Sequence, residues 1–195
     1  MSPWGSSNWS VRLNLIRGGR IDALVGQKES SWIDFKRIGY ASKTDEGKLE
    51  LAKDVASFAN TSGGLIVIGI STVKTFEVDT ASAVTGCVIG SVSAQSYRSV
   101  LARKIHPPPE GVEVFSVPVA PSKEASVISI PAQADEYKPF LVHGELVGSK
   151  VNGNYFSVVV RRDDEAFATS PHAVHALLAA GRAALRFAPR TTDAE

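Results

Sequence analysis

Cysteine is almost missing from this chain. The single thiol, Cys87, can form no intramolecular disulfide, and with no CxxC pair there is neither a zinc ribbon nor a thioredoxin-type redox motif. A reducing compartment is expected, with Cys87 read as a small buried hydrophobe. Long apolar runs are missing too: that at residues 65–68 extends only through Gly69 and Ile70, against the ~20 residues that a membrane helix needs. The opening MSPWGSSNWS has no basic segment followed by an apolar one, so no secretory signal is read and a cytoplasmic location is expected. Excess charge of one sign is also absent. With 21 Lys+Arg against 20 Asp+Glu the net charge is +1, so any nucleic-acid binding must come from a local patch and not from a basic bulk surface.

Several catalytic motifs are lacking as well. There is no GxxxxGK[ST] loop, no GxGxxG between a strand and a helix, and no GxSxG. Of the four histidines, His106, His143, His172 and His175, only the last two share a helical face, and no third ligand accompanies them. What is present is an ordinary globular composition, 195 residues with 44% hydrophobic, enough for one domain that buries roughly 70% of its unfolded surface without a staple.

The first 25 residues read as an arm with a short helix, broken at Gly18 and Gly19. Residues 30–37 alternate, with Ile33 and Phe35 on one face and Trp32, Asp34 and Lys36 on the other, which predicts a half-buried strand. Asp45 is positioned to cap a helix over 46–59 whose stripe is Leu51, Val55 and Phe58, and Gly63-Gly64 turns the chain into a strand at 65–70 buried on both faces. Residues 71–93 offer one or two short strands. A helix is predicted over 94–105, stopped by Pro107-Pro108-Pro109, then a hairpin from strands at 112–119 and 126–130. Residues 135–154 read as a long polar loop and 155–162 as a strand. Ser170 and Pro171 open a last helix over 169–187, with Val174, Leu177, Leu178 and Leu185 inward, and 188–195 reads as a disordered tail. The order predicts an α+β fold, a mixed sheet packed with helices.

Glu29, Asp34 and Lys36 fall within eight residues. Two carboxylates and a cation suit a divalent-ion phosphodiester site, and they also suit a plain surface strand. Because residues five apart point to opposite faces of a strand, Glu29 and Asp34 converge only if Glu29 lies in the loop before it or a bulge intervenes.

The run QKESSWIDFK at 27–36, followed by LAKDVASFANTSGGLIVIGI at 51–70, resembles the Schlafen-type Alba-like (AlbA) domain. That family pairs an ES…(E/D)FK strand with a helix ending in FANT-x-GG and a buried strand. Later segments fit in order, so the resemblance covers about 26–168. It implies a nucleic-acid-binding α+β domain, of the kind found in DNA-binding regulators and in nucleases that cleave structured RNA such as tRNA. In those nucleases three acids hold Mg²⁺ or Mn²⁺. The resemblance carries metal-binding onto Glu29 and Asp34 and a catalytic role onto Glu29, Asp34 and Lys36, but Thr72 stands where the third acid is expected, and Asp79 or Glu77 substitutes only if the next segment folds back.

A nucleic-acid face is expected from Lys36, Arg37, Lys43, Lys138 and Arg161, with Arg161 and Arg162 pointing to opposite sides of their strand. Tyr40, Tyr137 and Tyr155 are candidates for base stacking and equally for packing. Three readings follow: a DNA- or RNA-binding domain, a metal-dependent endoribonuclease, and a protein–protein module with a degenerate site. The chain has room for one lobe, so a homodimer is expected to widen the binding groove.

Overall fold

The computed structural model describes residues 6–147 and 150–187. The expected tail at 188–195, the first five residues of the arm and the side chain of Leu185 lie outside the described residues. Helix α1 (Ser6–Arg17) begins inside the segment read as an arm and is followed by a 3-10 turn at Ile21–Leu24. Strand β1 (Ile33–Lys36) leads to α2 (Asp45–Ala59), which is capped by Thr44 and not by Asp45: the Thr44 hydroxyl accepts from the Gly47 N–H at 3.1 Å. Leu51, Val55 and Phe58 are fully buried, as the stripe predicts.

Gly63, at φ +75, then reverses the chain where a Cβ would lie 2.5 Å from the Ile130 carbonyl oxygen, so no larger residue fits this close approach of helix and sheet. Strand β2 (Gly64–Ile68) is buried on both faces. The apolar run breaks at Gly69 (φ +97), and the chain leaves the sheet as a separate hairpin, β3 (Ile70–Thr75) and β4 (Val78–Val84). After β5 (Cys87–Val88) come α3 (Ala94–Lys104), β6 (Ile105–His106), and the predicted hairpin β7 (Glu113–Ala120) and β8 (Lys123–Ile130). Cys87 is only partly buried.

The main sheet is mixed. Strand β1 pairs parallel to β2, β2 pairs antiparallel to β8, and β8 carries β5 and β7. One face packs α2 and α3 around Phe58, Tyr97, Ile66, Ile68 and Ile128; the other packs α1 and the first 3-10 turn against Ile33, Phe35, Val67 and Val127. The fold is therefore α+β.

Residues 135–154 are not a loop. A 3-10 turn at Asp135–Tyr137 precedes β9 (Leu141–Val147) and β10 (Lys150–Ser157), which with β6 form a second sheet. The strand read at 155–162 is divided: β10 ends at Ser157, and β11 (Val159–Arg162) turns back into β12 (Glu165–Ala168) before α4 (Pro171–Phe187), whose Ser170 hydroxyl accepts from Ala173 N–H. Asn60, at the end of α2, ties these late strands to the core: its amide donates to the Phe140 and Val159 carbonyls at 3.0 and 2.9 Å and accepts from Phe140 N–H at 2.7 Å. Its part is thus long-range as well as helix-ending.

Candidate functional site

Strand β1 is an edge strand, and the site grows on that edge. Asp34 and Lys36 stand in register with Ile66 and Ile68, on the face toward α2, while Ile33 and Phe35 face α1. The parity is as read from the sequence, but both faces are covered, so Asp34 is buried at 5% exposure. A carboxylate there needs partners. The Lys36 ammonium lies 3.0 Å from Asp34 Oδ2 and 3.2 Å from Asp54 Oδ2, Asp54 coming from α2. The buried Tyr40 hydroxyl donates to Asp54 Oδ2 at 2.6 Å. Arg161 of β11 supplies the second cation, 3.2 Å from Asp34 Oδ1.

The charges register on one another. Burial raises the Asp34 carboxyl, with Asp54 adding to it and Lys36 and Arg161 opposing. Burial disfavours the Lys36 ammonium, yet the Asp54 and Asp34 carboxylates outweigh it and hold that group above its ordinary value. The Tyr40 phenol is raised by burial first and then by Asp54.

Glu29 lies in the loop before β1, the first of the two geometries that permit convergence with Asp34. This loop folds back on the strand: Ser30 pairs with Ile33, and Glu29 Oε1 accepts from the outward Phe35 N–H at 2.8 Å. Burial, then Asp34 and Asp79, push the Glu29 carboxyl up to about 7, against the pull of the Phe35 N–H and Arg161. Asp79 reaches this neighbourhood because β3 and β4 fold back on each other, which brings its carboxylate to the Thr72 hydroxyl at 2.9 Å.

The raised Glu29 carboxyl makes a prediction. The folded chain holds this proton more tightly than the unfolded one, whose carboxyl titrates near 4.5, so folding stability is highest below that pH and falls as pH climbs to about 7. Discounted for partial exposure, the fall is about 1–2 kcal/mol. Denaturant midpoints at pH 5 and pH 8 should show Glu29→Gln losing this part of the pH dependence. A wild-type and Gln difference that stays constant with pH would refute it.

The other predicted residues separate. Arg37 and Lys43 are exposed and make no ion pair among the described residues. Lys138, expected at a phosphate, donates instead to the Thr61 carbonyl (2.9 Å) and to Asp135 (3.0 Å), fastening the end of α2. Arg161, also expected at a phosphate, is buried and spent internally: Nε donates to Ser30 O, and Nη2 bonds Asp34 and the Ile33 and Asp164 carbonyls. Its neighbour Arg162 is the exposed one. Tyr40 is core, edge-on to Tyr97, whereas Tyr137 and Tyr155 are half exposed. Sequence reasoning missed Asp54, its bond from Tyr40 and the internal role of Arg161.

The Mg²⁺ or Mn²⁺ that the resemblance implied does not fit this arrangement as it stands. Among the described residues no three acidic, histidine or cysteine side chains are grouped so as to hold an ion, and Asp34 already faces two cations.

No curated protein matches the chain. The crystal structure of the DIP2311 protein from Corynebacterium diphtheriae is similar at 16% identity and TM-score 0.47, over 85% of this chain and 32% of that one, so the chain spans about a third of its length. The solution structure of the N-terminal domain of a RecG-related protein from Nitrosomonas europaea is similar at 20% identity and TM-score 0.39, over 62% of this chain and 74% of that one. The family model described as Schlafen, AlbA_2 matches residues 29–168, from the glutamate on the β1 edge to the end of β12. With the motif residues of 29–36 and 51–70 gathered on β1, α2 and β2, the chain belongs to the Schlafen AlbA_2 family.

Proposed function

We propose that this chain binds nucleic acid through the surface beside the outer edge of β1. The observation that carries the reading is the family match over residues 29–168, which begins at the Glu29 edge. Exposed cations that border this edge in sequence support it: Lys28 before β1, and Arg37 and Lys43 after it. A patch of three or four phosphate contacts gives a log–log salt slope of about −3, compatible with a +1 chain that has no basic bulk surface.

Metal-dependent cleavage of structured RNA is the second reading, and it requires the Lys36 and Arg161 pairs on Asp34 to open before an ion can be held there. It is favoured by Asp79, whose charge bears on Glu29 and which stands beside Thr72, the position where the family's third acid is expected. Labelled tRNA and a DNA duplex, each titrated with and without Mn²⁺, separate the readings. Binding without cleavage supports the first, and Mn²⁺-dependent cleavage lost in Asp34→Asn and Asp79→Asn supports the second. Absence of binding to either at 50 mM salt would overturn both, and a molecular mass by light scattering in the same samples tests the homodimer.

A further inference from the structure

Phe76 is 90% exposed, more than any other large apolar side chain among the described residues. It sits at the tip of the β3–β4 hairpin, where Thr75 pairs with Val78 and only Phe76 and Glu77 make the turn, with φ of +51 and +65. Two positive φ values are the geometry of a type I′ turn, which favours Asn-Gly, and a bulky aromatic is among the worst residues for it. The turn's own stability therefore does not account for a phenylalanine there, and no core contact does.

The hairpin is firmly rooted. Ala81 is buried in the core on the α1 side, and the backbone of 26–29 pairs along β4: Gly26 N–H to Ala81 O at 2.8 Å, Ala81 N–H to Gln27 O at 2.9 Å, and Glu29 N–H to Asp79 O at 2.8 Å. This pairing sets Lys28 beside the tip, with its ammonium 5.6 Å from the centre of the Phe76 ring. Lys74, on β3, is exposed, Glu77 is the one acid of the turn, and Asp79 is held by Thr72. Glu29, the residue after Lys28, is the one at the β1 edge.

We propose that Phe76 is a stacking platform for an unpaired nucleobase, with Lys28 meeting the adjoining phosphate. This rests on the nucleic-acid reading above and adds single-stranded or looped segments as the form recognised. The cation on the ring decides between a base and an apolar pocket of a partner protein. Burying Phe76 in an apolar pocket would strip water from Lys28 without compensation, whereas a nucleotide offers a π-face to the ring and an anion to the ammonium.

The test uses the full chain and three probes of equal length: single-stranded RNA, single-stranded DNA and a blunt DNA duplex. Phe76→Ala should weaken binding to the single strands by about 5- to 150-fold, the range for one lost base–aromatic stack, with the salt slope unchanged. Phe76→Trp should keep the affinity, and its emission should be quenched on binding a single strand. Lys28→Ala should instead lower the slope by about 0.7, as for one phosphate contact on a single strand. If Phe76→Ala binds single strands as wild type does, or weakens the blunt duplex equally, the stacking site is wrong while the nucleic-acid reading stands. If wild type binds none of these probes the platform falls, and the nucleic-acid reading falls with it only if labelled tRNA is not bound either.

Discussion

Arg161→Ala should cost about 3–5 kcal/mol of folding stability, the largest loss expected from any single substitution at this site. The guanidinium is 2% exposed and serves four acceptors at once: the Ser30, Ile33 and Asp164 carbonyls and the Asp34 carboxylate. It also lies over the Phe58 ring at 4.6 Å, so one side chain joins β11, the folded-back loop at 28–30, the β1 edge and α2. Alanine leaves Asp34 buried with Lys36 as its only cation, and removing one partner of a buried pair exposes the full desolvation cost of the other. Against a typical total of about 5–15 kcal/mol, such a loss is readable as a large drop in the denaturation midpoint. Arg161→Lys should recover only part, because an ammonium cannot reproduce the planar fork that spans several acceptors. A loss under about 1 kcal/mol would mean that the guanidinium is solvated and available to phosphate, as the sequence alone suggested.

That contrast shows where local sequence stops being informative. The α2 stripe, the Gly63-Gly64 reversal and the buried β2 are legible because each is set by neighbours within a few residues. The closing of the Asp34 side of β1 is not, because it depends on Arg161 of β11, 127 residues away from Asp34. The hairpin β9–β10 was hidden for a related reason. It lies in a small sheet beside the main core, so its exposed positions hold His143, Asn154 and Tyr155, and Gly144 and Gly153 imitate loop composition. At the site, Glu29, Asp34 and Lys36 are legible by motif. Asp54 sits off the apolar stripe of α2, where periodicity assigns it to solvent, and nothing local shows that Lys36 and Tyr40 cross to meet it. Phe76 escaped because its turn lacks the glycine or asparagine that marks a type I′ hairpin.

Lys36→Glu is the second substitution with a large expected effect, and here the structure reverses the expectation drawn from strand parity. Parity puts Lys36 on the face away from Ile33 and Phe35, and on that ground alone charge reversal would leave the fold intact. That face is instead occupied by Asp34 and Asp54, each within 3.2 Å of the ammonium, and the Lys36 side chain is only 29% exposed. Glutamate would set a third carboxylate beside the buried Asp34 and the partly buried Asp54, and like charges at such range cannot all ionise. The expected loss is at least about 3 kcal/mol at pH 7. Lys36→Met removes the cation without adding an anion and should lose less, about 2 kcal/mol. Its pH dependence carries the sign. Without the ammonium, one of the two cations that oppose the effect of burial on Asp34 is gone, so its carboxyl stands further above its ordinary value in the folded chain, the native state holds extra protons and stability falls as pH rises. The deficit of Lys36→Met against wild type should therefore be small near pH 4 and full at pH 7, read from denaturant midpoints at both. A deficit independent of pH would disprove the coupling. Lys36→Met with wild-type stability but a shallower salt slope for RNA would return Lys36 to the role of a phosphate contact.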